Sequence, residues 1–288
     1  MHVEVNGAQI YFDIEGCKLV PDGTRMREKP TLLLLHGGPG ADHSICKPAF
    51  SALTDIAQVV YLDHRGNGRS TGNDPDTWNL AQWGDDVKAF CDTLGIEKPV
   101  VLGTSFGGFV AQSYMTRHPD HPAAVILVST AAAMDFEKVY EAFKRIGGPD
   151  IRGVAEAYWS APSPETRMAY REICLPYYTA SDAIGTDWLA RTVVRDEVSQ
   201  HFNGPGNEQY VMDFRHELPN VRCPTLILVG EEDPITPPAF SLEIAECIPS
   251  GYGQLVRVDG AGHGVVSDKP EEMFALIRRF VAAHWPTN

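Results

Sequence analysis

The strongest constraint on the fold is a five-residue run, Thr31-Leu32-Leu33-Leu34-Leu35, that stops abruptly at His36-Gly37-Gly38-Pro39-Gly40. The run has no polar and apolar alternation, so it cannot rest with one face in water. Too short for a helix and bounded by turn residues, it predicts a strand buried on both faces, as in a parallel sheet covered by helices on either side. The pattern recurs at 57–62, 99–104, 123–129 and 224–229, and a last strand is predicted over 252–258. Helical spacing of apolar residues fills the intervals: Asn79 to Leu94 before Gly95, Phe106 to Arg117, Pro237 to Cys247, and Asp268 to Ala283. Strand and helix in alternation predict an α/β chain built on a doubly wound, mostly parallel sheet. Residues 2–6 and 9–14 read as a hairpin around Gly7 and Ala8.

One stretch breaks this rhythm. Residues 134–217 hold no buried-strand run, but many aromatics, among them Tyr140, Trp159, Tyr178, Trp188 and Phe202, with several Pro and Gly breaks. It reads as a helical lid over the carboxyl edge of the sheet. The expected organisation is a core of residues 1–133 and 218–288 with a cap of 134–217 inserted between core strands. A chain of 288 residues suits one such core with an insertion, not two full domains.

Composition narrows the partners. The 24 basic and 38 acidic residues leave a net charge of −14, which repels nucleic acid and anionic membranes. No apolar run approaches the ~18 residues of a membrane span. Met1 to Phe12 shows no basic flank followed by an apolar segment, so no secretory signal is read and a cytoplasmic location is expected. The six cysteines form no C-x-x-C pair and read as free thiols. The ten histidines show no H-x-x-x-H spacing, and no metal or other cofactor is expected. The oligomeric state is left open.

The chemistry is concentrated at strand ends. Gly103-Thr104-Ser105-Phe106-Gly107 has the pattern G-x-S-x-G between a buried strand and a helix. There the chain must turn sharply to project Ser105 beyond the sheet, and a β-carbon at 103 or 107 would meet neighbouring backbone. Acyl transfer through a serine needs a base, an acid that orients it and donors for the oxyanion. Asp233, in Gly230-Glu231-Glu232-Asp233-Pro234, and His263, in Asp259-Gly260-Ala261-Gly262-His263, follow the next two strands in the order serine, acid, histidine. Glu231 and Glu232 are rival acids; the position of Asp233 before Pro234 favours it. For the oxyanion, the expected donors are the Phe106 N–H and the Gly38 N–H, with Gly37 as the second choice in that loop and part of the substrate surface. His36 is read as holding the loop.

Three motifs, His36-Gly37-Gly38-Pro39-Gly40, Asp63-His64-Arg65-Gly66-Asn67-Gly68-Arg69-Ser70 and Gly103 to Gly108, together resemble those of the proline iminopeptidase family of α/β hydrolases. The resemblance covers the core. It implies the α/β-hydrolase fold, a catalytic triad of Ser105, Asp233 and His263, a buttressing role for the Asp63–Ser70 turn, and a helical cap. It also implies a serine hydrolase that forms an acyl-enzyme on small amides or short peptides, releasing an N-terminal proline or similar residue. The chain departs from the family in having His64 where Gln is usual and Phe106 where Trp is frequent. The family's amine-gripping cap glutamates have only a poor counterpart in Asp196 to Phe202, which leaves Glu197, Glu208 and Glu217 as candidate substrate-binding residues. A carboxylesterase or a lactonase, for example for acyl lactones, is the alternative on the same core, since an aromatic cap suits an apolar acyl chain. A non-catalytic ligand receptor built on this fold is a second alternative, disfavoured because all three triad residues are present. Ser at 105 also disfavours dehalogenase or epoxide hydrolase chemistry, which attacks through Asp.

Overall fold

In the computed structural model, which describes residues 1–181 and 190–285, the buried runs of the sequence lie side by side in one sheet. β1 (His2–Val5) and β2 (Ala8–Glu15) form the N-terminal hairpin. β3 (Leu19–Asp22) and β4 (Arg25–Glu28) make a separate two-stranded hairpin that the sequence reading lacks. Then come β5 (Thr31–Leu35), β6 (Gln58–Leu62), β7 (Val100–Thr104), β8 (Ala124–Val128), β9 (Thr225–Gly230) and β10 (Gly253–Val258). The sheet order is β1-β2-β6-β5-β7-β8-β9-β10; β2 is antiparallel to both its neighbours, β1 and β6, and the pairings from β6 to β10 are parallel.

Period two explains why every residue of β5 is apolar or buried. Leu33 and Leu35 join Val60, Val101 and Leu127 on one face, packed on α1 (Leu80–Leu94) and α2 (Phe106–Arg117). Leu32 and Leu34 join Val59, Leu102 and Ile126 on the other face, against the C-terminal helix. Both faces are thus dry from Leu32 to Leu35, which leaves no water-facing side for alternating polar residues. Asn79 caps α1 by accepting from the Gln82 N–H at 2.9 Å, and Gly95 ends it in the left-handed conformation.

Between β8 and β9 the described residues form α3 (Phe136–Gly147), α4 (Pro149–Ser160), α5 (Pro164–Ile173), α6 (Asp196–Phe202) and α7 (Glu208–Val211). Trp188 lies outside the described residues. The stem of this insertion is closed by an antiparallel bridge between Ala133 and Asp213, with the Phe214 N–H donating to Ala132 O at 2.9 Å. Its inner side is an aromatic cluster: Phe136 stacks on Tyr210 at 4.0 Å, and Tyr158 lies 4.6 Å from Tyr170. After β9 come α8 (Pro238–Cys247), the short α9 (Val265–Asp268) and α10 (Pro270–His284). The single helix expected from Asp268 therefore begins at Pro270. Proline disfavours helical geometry in the residue before it, and Lys269 is non-helical at φ −136° and ψ 55°.

The chain leaves β5 for β6 on one side of it and later returns to place β7 on the other. The loops after β5 and β7 diverge at this switch, which opens a crevice at the carboxyl edge of the sheet.

Candidate active site

Ser105 stands alone at the tip of the turn between β7 and α2, with φ 54° and ψ −119°. A non-glycine residue at positive φ is strained, and here the surroundings impose it. The Ser105 N–H donates to Val128 O at 2.9 Å, and its carbonyl accepts from the Gly108 N–H at 2.8 Å and the Thr130 hydroxyl at 3.0 Å. The turn fits only because 103 and 107 lack side chains. A β-carbon at Gly103 would collide with Gly107 O, and one at Gly107 would collide with Leu35 O.

The structure brings the other two expected residues to this serine. His263, in the loop after β10, has Nε2 3.1 Å from Ser105 Oγ. Its Nδ1 lies 3.0 and 2.9 Å from the two carboxylate oxygens of Asp233, in the loop after β9. Asp233 is fully buried. Burial alone would raise its carboxyl pKa, but the neighbouring His263, then the Thr236 bonds, outweigh that and hold it below the ordinary value. Its Oδ1 accepts from the backbone N–H groups of Ile235 and Thr236, both at 2.8 Å, while the Thr236 hydroxyl donates to Oδ2 at 2.8 Å. The rival acids point elsewhere: Glu231 pairs with Arg257 and Glu232 with Arg145, both at the surface.

The His263 loop is itself pinned. Gly262 donates to Asp268 Oδ2 at 2.8 Å, and Asp268 also accepts from Ala180 and Ser181 of the insertion, each at 2.9 Å. The Tyr178 ring meets the imidazole edge to face at 5.2 Å. The sequence reading gives Thr236, Asp268 and Tyr178 no role in the site. The one local cue near Thr236 is Asp233 itself, whose side chain bonds the backbone two residues on, at Ile235, as in an Asx-turn.

Gly37 and Gly38 border the same cavity as Ser105 and Phe106. The Phe106 N–H opens α2 and finds no hydrogen-bond acceptor among the described residues, so it is free for an incoming oxygen. The glycine loop is held on both sides: Gly40 N–H donates to Asn67 Oδ1 at 2.6 Å, and Arg195 N–H of the insertion donates to Gly40 O at 2.6 Å. His36 Nδ1 donates to Gly37 O at 3.0 Å, and its Nε2 accepts from the His64 N–H at 3.3 Å. Burial pushes both imidazoles below the ordinary histidine pKa, His64 far below. In the Asp63–Ser70 turn, Asp63 is fully buried and accepts from His43 Nδ1 at 2.7 Å and the Arg69 N–H at 2.8 Å.

The cavity in front of Ser105 holds about 450 Å³ and is mainly apolar, with Ile45, Phe50, Phe109, Met134, Trp159 and Phe202 among its walls. No carboxylate lines it among the described residues. Its cations are Lys47, paired with Asp13 and Glu15, and Arg191, whose guanidinium donates to the Ser44 and Lys47 carbonyls. The three glutamates singled out in the sequence are not brought to it. Glu197 is exposed and 3.8 Å from Arg195; Glu217 is exposed next to the 3₁₀ turn at Leu218–Asn220. Glu208 accepts from the Leu80 N–H with both oxygens at 2.9 Å and so satisfies the start of α1. Burial raises its pKa. No described helix is long and apolar enough to cross a membrane.

Comparison with known proteins gives concordant results. The family model for the alpha/beta hydrolase fold matches residues 30–270. Proline iminopeptidase PfmaB from Pestalotiopsis fici is 30% identical over 286 residues, covering 96% of this chain and 97% of that protein. The solved structure of a proline iminopeptidase from Mycobacterium smegmatis superposes with a TM-score of 0.81 at 22% identity, covering 99% of this chain and 98% of the other. An enol-lactonase from Burkholderia xenovorans LB400 superposes with a TM-score of 0.67 at 23% identity, covering 98% and 99%.

Proposed function

Because this chain belongs to the alpha/beta hydrolase fold family, we propose that it is a serine hydrolase working through an acyl-enzyme, with Ser105 as nucleophile, His263 as base and Asp233 as orienting acid. The observation that carries the reading is the unbroken chain of contacts from Ser105 Oγ through His263 to the buried Asp233. His263 Nε2 takes the Ser105 proton as Oγ attacks a carbonyl carbon. Asp233 fixes the tautomer and stabilises the imidazolium that forms. The N–H groups of Phe106 and Gly38 receive the oxyanion. His263 then protonates the leaving group, and water repeats the cycle on the acyl-enzyme. Residues 134–217 act as the cap that closes the crevice, and the enzyme works in the cytoplasm on a small molecule, with neither nucleic acid nor membrane as partner.

The substrate class this site favours is an uncharged ester, lactone or amide with an apolar acyl part. A free ammonium entering the cavity would meet mainly apolar walls and no carboxylate among the described lining residues, so its charge would go unpaired. A second reading, release of an N-terminal proline or similar residue, has the support of the 30% identical proline iminopeptidase. The test measures kcat/KM for a proline anilide and a short-chain acyl ester, alongside labelling by a serine-directed phosphonate. Labelling that depends on Ser105, with the ester preferred, is the expected result. Preference for the anilide would establish the second reading, and inertness to the phosphonate would overturn both.

A further inference from the structure

Three polar side chains of the insertion line the cavity in front of Ser105 with hydrogen-bonding capacity left over. Trp159, Asn203 and Gln209 are 7%, 5% and 5% exposed. Trp159 Nε1, Asn203 Oδ1 and Gln209 Oε1 have no hydrogen-bond partner among the described residues. Asn203 is oriented by its other end, since Nδ2 donates to Ser199 Oγ at 3.1 Å and leaves Oδ1 as the open acceptor. The Tyr170 hydroxyl lies next to Trp159 and pairs with Tyr178 at 2.9 Å, outside full hydrogen-bond geometry for the indole N–H. A buried polar group without a partner is costly, and three lining one cavity call for something else to satisfy them.

The buried atoms left without partners are one N–H donor and two carbonyl acceptors, all uncharged. We propose that this cluster is the specificity site of the enzyme and that it recognises an uncharged amide group carried by the substrate. An amide offers its carbonyl oxygen to the indole N–H and its N–H to either carboxamide oxygen. The competing groups each fit worse. An ammonium has donors only, would leave the indole unpaired and would bring a charge into a cavity without a carboxylate among its described lining. A carboxylate has acceptors only and would face two carbonyl oxygens. An ester or ketone satisfies the indole alone. The inference rests on the hydrolase reading for the word substrate, but the recognition itself needs no catalysis.

The test therefore reads binding. Ligand-observed NMR on the full-length Ser105→Ala protein measures the affinities of N-hexylacetamide, the methyl ketone of the same length, and hexylammonium. The expected order is amide first, about tenfold tighter than the ketone, with hexylammonium weakest. Asn203→Leu and Gln209→Leu should each draw the amide towards the ketone. Gln209→Glu, close to isosteric and so least disruptive to folding, should raise the affinity for hexylammonium at least about tenfold. Equal affinity for amide and ketone, tightest binding of hexylammonium to the unsubstituted cavity, no measurable binding of the amide, or an amide preference that survives in folded variants would each overturn the proposal. Failure of the hydrolase reading has a different signature: no phosphonate labelling of the native protein, whatever the ligand order.

Discussion

The Arg195 N–H donates to the Gly40 carbonyl at 2.6 Å, tying the insertion directly to the glycine loop next to Ser105. Gly40 sits at φ +85°, and a β-carbon there would collide with Arg195 O. Gly40→Ala should therefore displace either the loop or the insertion, and strain alone should cost at least about 1–2 kcal/mol. The expected outcome is a lower urea midpoint together with a disproportionate loss of kcat. Gly7→Ala is the control, since Gly7 also has positive φ, at +77°, but has open space around it. It should lower stability without that loss.

Replacing Ser105 by Ala should remove at least about a thousandfold of turnover while the melting temperature stays near that of the parent. Steady-state kinetics and thermal unfolding on the same preparation check this. Retention of most of the activity would rule out Ser105 as nucleophile.

Thr236 is a positioning residue: its hydroxyl holds Asp233 Oδ2 at 2.8 Å and lies 3.4 Å from His263 Nδ1. Thr236→Val should lower kcat about tenfold, with KM changed by less than about twofold. Thr236→Ser should restore most of the rate, which simple loss of packing would not predict.

Acid should act through Asp233. Its carboxyl pKa is lowered in the folded protein from an ordinary 3.8. A group whose folded pKa is depressed stabilises the fold above its unfolded pKa and loses that contribution as pH falls through the folded value. The stability gap between the parent and Asp233→Asn should thus be constant at neutral pH and shrink below about pH 4. Urea unfolding across that range measures it; a gap that widens in acid would contradict the assignment.

Glu197→Gln and Glu217→Gln should leave kcat/KM for any substrate, including a free-amine anilide, within about twofold of the parent. A large selective loss on the anilide would mean that these side chains reach the substrate in a form of the insertion unlike the one seen here.

What could be read from the sequence depended on whether one residue's neighbours along the chain determine its setting. Leu32 to Leu35 announce a strand because both of its faces are dry, and the same holds for β6 to β9. The β3–β4 hairpin gives no such notice: Leu19 and Met26 are more than half exposed, and neither strand has a buried face to create a pattern. Ser105 was legible because Gly103 and Gly107 report the crowding of the turn, and His263 because it follows a strand end. Trp159, Asn203 and Gln209 were not. They meet only through the packing of α4, α6 and α7, which the chain does not record locally. Glu208 shows the converse, since its charge suggests a ligand while its place in the fold assigns it to Leu80.

The insertion divides the site in time as well as in space. Ser105 and its turn belong to the stretch of chain ending at β8, whereas Asp233 and His263 follow the insertion, on the loops after β9 and β10. During synthesis the serine is therefore made well before its base. On the proposed mechanism, a ribosome-bound chain that has completed β8 carries an ordinary alcohol without the base that would activate it. The imidazole joins it only once β10 has taken the outer edge of the sheet next to β9.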